Sequence, residues 1–143
     1  MLSHTMEQQL NQIGVNQMSS DHFKKDKNGK HRIKLSDVRP GLTRRVDACG
    51  FTYYLTVNFV DVSPVEVFIT IAKEGSSVSG FIETLAITIS IALQHGTPWE
   101  TLCDKFSNQT FEPRDDKNSS LIHSISEEIS KLVRLWEQQH NEA

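Results

Sequence analysis

The chain has 143 residues, of which 37% are hydrophobic and 23% charged, and its formal net charge is -3. This composition is typical of an ordinary soluble protein with room for one domain and a core. A mildly acidic chain is not expected to be a general nucleic-acid binder, and no apolar run approaches the roughly 20 residues that span a bilayer.

The N-terminal part of the chain differs from the rest. It is polar and carries a lysine-rich stretch from Lys24 to Lys34. We expect residues 1–38 to be a flexible polar and basic tail, and residues 39–143 to be the folded domain, because Arg39-Pro40-Gly41 is a turn signal. An arm that packs on a partner or attracts phosphate is the alternative interpretation of the tail, and charge alone does not separate the two.

Cysteine usage and the N-terminal sequence bear on the compartment. Cys49 and Cys103 are far apart and form no C-x-x-C pair, so both thiols are expected to be free in a reducing environment. The N-terminus lacks the basic and then apolar pattern of a secretory signal. We therefore expect a cytoplasmic location, in a bacterial or phage-infected cell.

Strand patterns dominate the first half of the domain. Residues 43–48 are compatible with a short first strand, and residues 51–59 and 65–71 alternate apolar with polar or mixed side chains. A period of two predicts strands with one buried face, and the short connection over residues 60–64 predicts an antiparallel hairpin.

Helical patterns dominate the second half. Helices are predicted over residues 79–95, over a short segment from Thr97 to 106, and over residues 120–138. Thr97 is expected to cap the second helix, with Pro98 in its first turn. The predicted fold is α+β, with a small antiparallel sheet of two to four strands followed by and packed against three helices.

Surplus apolar surface indicates self-association. Ile87 and Ile91 lie outside the main apolar stripe of the first helix, and the small sheet alone cannot cover them, so the third helix or another subunit must help. We expect a dimer or a higher homo-oligomer.

One segment has the chemistry of an anion site. A strand ends at Ala72, a turn with Lys73, Gly75, Ser76 and Ser77 follows, and a helix begins. The N–H groups and partial positive charge of a helix N-terminus suit phosphate, and the lysine and serines add donors. Ordinary helix capping by Ser77 or Ser79 is the alternative.

Three arginines and an aromatic residue complete the predicted ligand-binding set. Arg44, Arg45 and Arg114 could bind phosphate, and Phe81 in the first turn of the helix could stack on adenine. The alternative for each arginine is ordinary surface charge. The sequence contains no metal-ligand spacing and no nucleophile with a nearby base, so we expect no catalytic residues, no metal and no cofactor.

Several short motifs occur in the order found in a known domain. The stretch Ala72–Ser77 followed by Ser79-Gly80 resembles A-K-E-G-S-T-x-S-G in the C-terminal domain of adenosylcobalamin-dependent (class II) ribonucleotide reductases, the TSCPD domain. The similarity continues through Ser90, Ala92–Gly96, Pro98, Asp104–Ser107 and Phe111–Pro113, with an upstream T-R-R at Thr43–Arg45. The resemblance covers the middle half to two-thirds of the chain.

The resemblance implies an accessory role. In such reductases the catalytic barrel, its cofactor and its active-site cysteines lie upstream, and Cys49 and Cys103 do not match the redox pair near the end of those enzymes. It therefore implies a non-catalytic, nucleotide-related binding module, a free-standing companion of a reductase catalytic chain. The alternative is a phage anti-defence protein that sequesters a nucleotide signal of the cyclic ADP-ribose type without turnover, similar in architecture to Thoeris anti-defence proteins.

Overall fold

The computed structural model describes residues 23–25, 31–72 and 75–141. A two-stranded ribbon, β1 and β2, precedes a sheet of β3, β4 and β5, and helices α1, α2 and α3 follow in chain order. The bounds of these elements are β1 Phe23–Lys25, β2 His31–Ile33, β3 Gly41–Ala48, β4 Phe51–Val60, β5 Ser63–Ile71, α1 Ser77–Gln94, α2 Trp99–Phe106 and α3 Leu121–His140.

The main sheet has the order β3-β4-β5, and both strand pairs are antiparallel. Leu55 of β4 lies opposite Arg44 on one side and Ile69 on the other. The predicted α+β fold, with a small antiparallel sheet and three helices, is confirmed.

Alternation along β4 separates two faces of this sheet. Every second residue is buried, namely Tyr53, Leu55, Val57 and Phe59. We call the face that carries them the inner face and the opposite one, which carries Tyr54 and Phe68, the outer face. Because successive side chains of a strand point to opposite sides, the sequence period of two maps directly onto this division.

Helices α1 and α3 supply most of the rest of the core, and α2 adds Trp99. The apolar stripe of α3 includes Ile125, Ile129 and Trp136, and the Trp136 ring stacks on Phe59 with centroids 4.5 Å apart. The buried side of α1 contributes Ile82 and Ile89. Burial of these side chains is the main force that holds the helices on the inner face.

Helix α1 also covers the free edge of the sheet, which is formed by β5. The Ser90 hydroxyl accepts a hydrogen bond from the Val67 N–H (2.9 Å) and lies 3.1 Å from the Val67 carbonyl oxygen, to which it can donate. Gln94 Nε2 donates to the Val65 carbonyl (3.1 Å), and Arg32 Nε donates to Gln94 Oε1 (2.7 Å). These contacts pair backbone groups that an edge strand would otherwise leave open.

Two predicted details of the connections are wrong. Pro64 lies within β5 rather than in the preceding turn. Thr97 does not cap α2, because its N–H donates to the Ala92 carbonyl and closes α1 in a Schellman motif with Gly96 at φ +97°. Helix α2 therefore starts one residue later than predicted, with Pro98 at the N-cap and no side-chain cap.

Residues 31–38 contact the domain. Ile33 of β2 is buried, and Arg32 bonds to Gln94 of α1. The predicted tail of residues 1–38 thus includes a strand packed on the folded part, while residues 1–22 and 26–30 lie outside the described residues.

Within the described part of the chain, α1 is long and apolar enough to cross a membrane by length and composition alone. The expectation that no segment reaches such a length is therefore too strong. Core helices of soluble proteins pass the same test, and α1 packs Ile82 and Ile89 into the core. The expectation of no membrane contact stays a prediction.

Candidate functional site

One end of the sheet gathers three connections. The β3–β4 turn lies there, because Ala48 pairs with Phe51, and β5 ends there, because Ile71 pairs with Tyr53. The loop between α2 and α3 reaches the same end, where Asp115 Oδ2 accepts a hydrogen bond from the Cys49 N–H (2.9 Å). The topology thus brings the β5–α1 turn and the loop that carries Arg114 to one end of the molecule.

The β5–α1 turn has the form of a capped helix start. Gly75 adopts φ +74°, which a glycine tolerates without strain. Ser76 is the N-cap, and its hydroxyl accepts from the Ser79 N–H (3.1 Å). The alternative expectation named Ser77 or Ser79 as the cap, and this is wrong. A serine does cap the helix, but it is Ser76, the last residue with extended backbone.

The first turn of α1 leaves an anion-compatible surface. The N–H groups of Ser77 and Val78 have no acceptor within the helix, as at every helix start. No acidic side chain occupies this first turn, and Ser77 is exposed. Phe81 is 75% exposed and lies one helical turn after Ser77, so the two share a side of the helix. Lys73 lies outside the described residues.

Each predicted arginine is paired with a carboxylate. Arg44 binds Glu128 of α3 (3.0 Å), and Arg45 binds its neighbour Asp47 (3.1 Å). Because they are adjacent on β3, Arg44 lies on the side of α3 and Arg45 on the outer face. The structure therefore does not bring these two cations together.

The third arginine, Arg114, binds Glu112 (2.8 Å) in the α2–α3 loop and is exposed. Like the other two, it would have to share or exchange its carboxylate partner to bind an anion. Burial opposes ionisation of Glu128, but hydrogen bonds from Lys131 and Arg44 outweigh it and lower the pKa of that carboxyl. Arg44 is thus paired with a carboxylate that is held in its charged form.

Asp115 is a positioning residue that sequence reasoning missed. Besides the Cys49 N–H, its carboxylate accepts from the N–H groups of Lys117 and Asn118 (2.8 and 2.7 Å). The hydrogen bond from Cys49 is the largest cause that lowers the pKa of Asp115 to about 2. The D-x-x-N spacing of Asp115 and Asn118 is a local turn signal, whereas the contact with Cys49 joins residues too distant for any sequence pattern.

The two cysteines are free and sit in different surroundings. Burial, followed by the nearby charge of Asp115, raises the pKa of the Cys49 thiol, which disfavours the reactive thiolate. Cys103 is half-buried, and its sulfur contacts the hydroxyls of Ser107, Ser126 and Ser130. Among the described residues, no group of three or more His, Cys, Asp or Glu side chains is arranged to hold a metal ion.

A small antiparallel sheet with helices on one face defines the structural class, and comparison with known proteins gives the family. Residues 26–135 match the TSCPD domain family, so the chain belongs to that family and the resemblance seen in the sequence is confirmed. No solved structure matches the chain.

Relatives with a curated name are much longer proteins. The chain is 36% identical over 106 residues to the vitamin B12-dependent ribonucleotide reductase of Rhodopirellula baltica, and 35% identical over 108 residues to proteins of that name from Streptomyces clavuligerus and Streptantibioticus cattleyicolor. These matches cover 73% of this chain but only 10%, 11% and 18% of the three relatives.

Proposed function

We propose that this protein is a non-catalytic accessory module that docks on the catalytic chain of a vitamin B12-dependent ribonucleotide reductase. The observation that carries the proposal is the 36% identity to a reductase of which the chain covers only 10%. A unit of that size matches one small region of a large enzyme. The remaining nine-tenths of the relative has no counterpart in the match.

The chemistry of the described residues supports a binding role. The thiol of Cys49 is buried and its pKa is raised, and the hydroxyl of Ser76 is used as a helix cap. A raised pKa disfavours the thiolate that a nucleophilic cysteine needs. A reductase requires a reactive thiol system, so we infer that turnover belongs to the partner chain.

We propose that the first turn of α1 contacts a nucleotide phosphate. Ser77 offers a hydroxyl and an N–H at the positive end of the helix, and the exposed ring of Phe81 lies one turn further on. A phosphate at the helix end and a base on the ring would use both groups. Arg114, at the same end of the sheet, is a further phosphate contact if Glu112 releases it.

A pair of matched variants tests the nucleotide contact. Ser77→Asp places a negative charge at the first helical residue, where an acidic group favours the helix but repels phosphate. Thr101→Asp makes the same change in the first turn of α2. Calorimetric titration with ATP and dATP should show binding to the wild type, about tenfold or greater weakening by Ser77→Asp, and little change by Thr101→Asp. Equal affinities for all three chains would remove the proposed contact.

A separate measurement tests docking. The Rhodopirellula baltica reductase, shortened by the region that this chain matches, should bind the full chain in sedimentation velocity experiments. Absence of a complex would contradict the accessory role. Tight binding of cyclic ADP-ribose, recovered unchanged and without reductase binding, would favour the anti-defence alternative instead.

A further inference from the structure

Helix α1 carries an exposed stripe that no other described part of the chain covers. Gly80, Thr84, Ile87 and Ile91 follow one another at intervals of four, three and four residues, which places them along one side of the helix. All four are exposed, and Ile87 and Ile91 are 60% and 45% accessible. We call these four residues the α1 seam.

The polar groups of the α1 seam are already satisfied within the helix. The Thr84 hydroxyl donates to the Gly80 carbonyl (2.8 Å), and the neighbouring Thr88 hydroxyl donates to the Thr84 carbonyl (2.9 Å). With its hydroxyl turned to the backbone, Thr84 does not need water as a hydrogen-bond partner. Covering the seam would therefore leave no threonine hydroxyl unpaired.

The contacts between the described residues do not explain why residue 80 is a glycine. A glycine inside a helix is destabilising relative to alanine. Among the described residues, a Cβ added to Gly80 would meet nothing within 4 Å, so no packing contact between them requires a glycine at this position. A glycine on an exposed helix side is explained if another chain approaches the backbone closely there.

We propose that two copies of this chain associate through the α1 seam. The two α1 helices run antiparallel and are related by a twofold axis, which crosses each helix at the level of Leu85 and Ala86. In that arrangement Ile91 of each copy lies over Gly80 of the other, and Ile87 lies against Thr84. Each large side chain faces a small one. This size complementarity is why the occupant is a second copy of this chain rather than an unrelated partner.

The surroundings of the α1 seam fit an interface of this kind. Phe68 on the outer face is 51% exposed and lines the same groove as Ile87 and Ile91, so it extends the apolar area. The nearest buried charge, Glu66, is neutralised by Arg39, whose Nη1 lies 2.7 Å from Glu66 Oε2. Glu83 also lines this groove, but it is exposed and can keep its contact with water at the edge of the interface. The apolar centre can therefore lose water without burying an unpaired charge.

Variants of the seam test the association. Sedimentation equilibrium of the full chain should show a dimer, and Ile87→Glu should give a monomer with an unchanged circular dichroism spectrum. Leu135→Glu, on an exposed site of α3, is the matched control and should remain a dimer. A wild-type monomer at all concentrations, or a dimer that survives Ile87→Glu, would overturn the proposal. So would a monomer that floats with phospholipid vesicles, because a membrane would then cover α1.

A compensation experiment tests the pairing itself. Gly80→Ile should crowd the contact between residues 80 and 91, and Ile91→Ala should leave it empty. Each change should raise the dimer dissociation constant about tenfold or more. When both changes are made in one chain, the large side chain moves to position 80 and the small one to position 91. The double variant should therefore dimerise more tightly than either single variant. Losses that simply add would show that Gly80 and Ile91 do not face each other.

Discussion

Tyr53 and Tyr54 are neighbours on β4, yet they lie on opposite faces of the sheet in opposite environments. Tyr53 is fully buried on the inner face, and its hydroxyl lies 2.8 Å from the Ser124 hydroxyl of α3. Tyr54 is half exposed on the outer face. Burial also raises the pKa of Tyr53, which keeps its hydroxyl neutral. The inner face thus carries the core contacts, while the outer face and the α1 seam are exposed among the described residues.

The largest expected effect contrasts the two tyrosines directly. Tyr53→Ala should lower the free energy of unfolding by about 3–5 kcal/mol, because it leaves a cavity and an unpaired Ser124. Tyr54→Ala should lower it by about 1 kcal/mol or less, since only a half-exposed strand side chain is lost. Urea denaturation followed by circular dichroism measures both. Similar losses would remove the distinction between the faces.

The next largest expected effect on stability comes from the hydrogen bonds that α1 makes to the free edge of β5. Ser90→Ala removes the hydroxyl that pairs with Val67, and an unsatisfied backbone N–H should lower the free energy of unfolding by about 1–3 kcal/mol. Thr88→Ala is the control, because its hydroxyl bonds only to a helix carbonyl on the exposed side. Equal stabilities of the two variants in urea denaturation would show that α1 does not seal the edge.

The helix cap next to the candidate site should matter less. Ser76→Ala is expected to lower the free energy of unfolding by about 1 kcal/mol, as for other N-cap serines. Ser77→Ala should leave stability nearly unchanged while it weakens nucleotide binding. Thermal denaturation and calorimetric titration of both variants separate capping from binding, and a stability loss only in Ser77→Ala would contradict the assignment.

The smallest expected effect is a loss of stability at low pH through protonation of Asp115. The pKa of Asp115 is lowered from an ordinary value of 3.8 to about 2. Its stabilising contribution is therefore fully present above pH 3.8 and is lost as the pH falls towards 2. Melting temperatures of the wild type and Asp115→Asn, measured from pH 6 to pH 2, should converge at the acid end. Curves that stay parallel would mean that this carboxylate does not help to hold the loop.

Much of the fold could be predicted because its signals are local. The period of two along β4 and the apolar stripe of α3 come from neighbouring residues, and both elements appear where they were expected. The start of α2 was misplaced because Thr97 completes the end of α1, a choice between two local motifs that sequence does not resolve.

The candidate site was harder to predict because its contacts are distant. The sequence indicated the β5–α1 turn, but it could not show that Arg44 is bound by Glu128, 84 positions along the chain. Nor could it show that Asp115 ties its loop to Cys49. These pairings depend on how the helices pack, and they decide which cations remain available to a ligand.

We propose that this chain assists a reductase and does not itself catalyse reduction. The most direct measurement is turnover of a ribonucleotide by the Rhodopirellula baltica enzyme shortened by its matched region, with adenosylcobalamin and a thiol reductant, in the presence and absence of this protein. We predict no turnover by this protein alone and a higher rate when it is added to the shortened enzyme. Turnover by this chain alone, or a rate that does not respond to it at any concentration, would contradict the account.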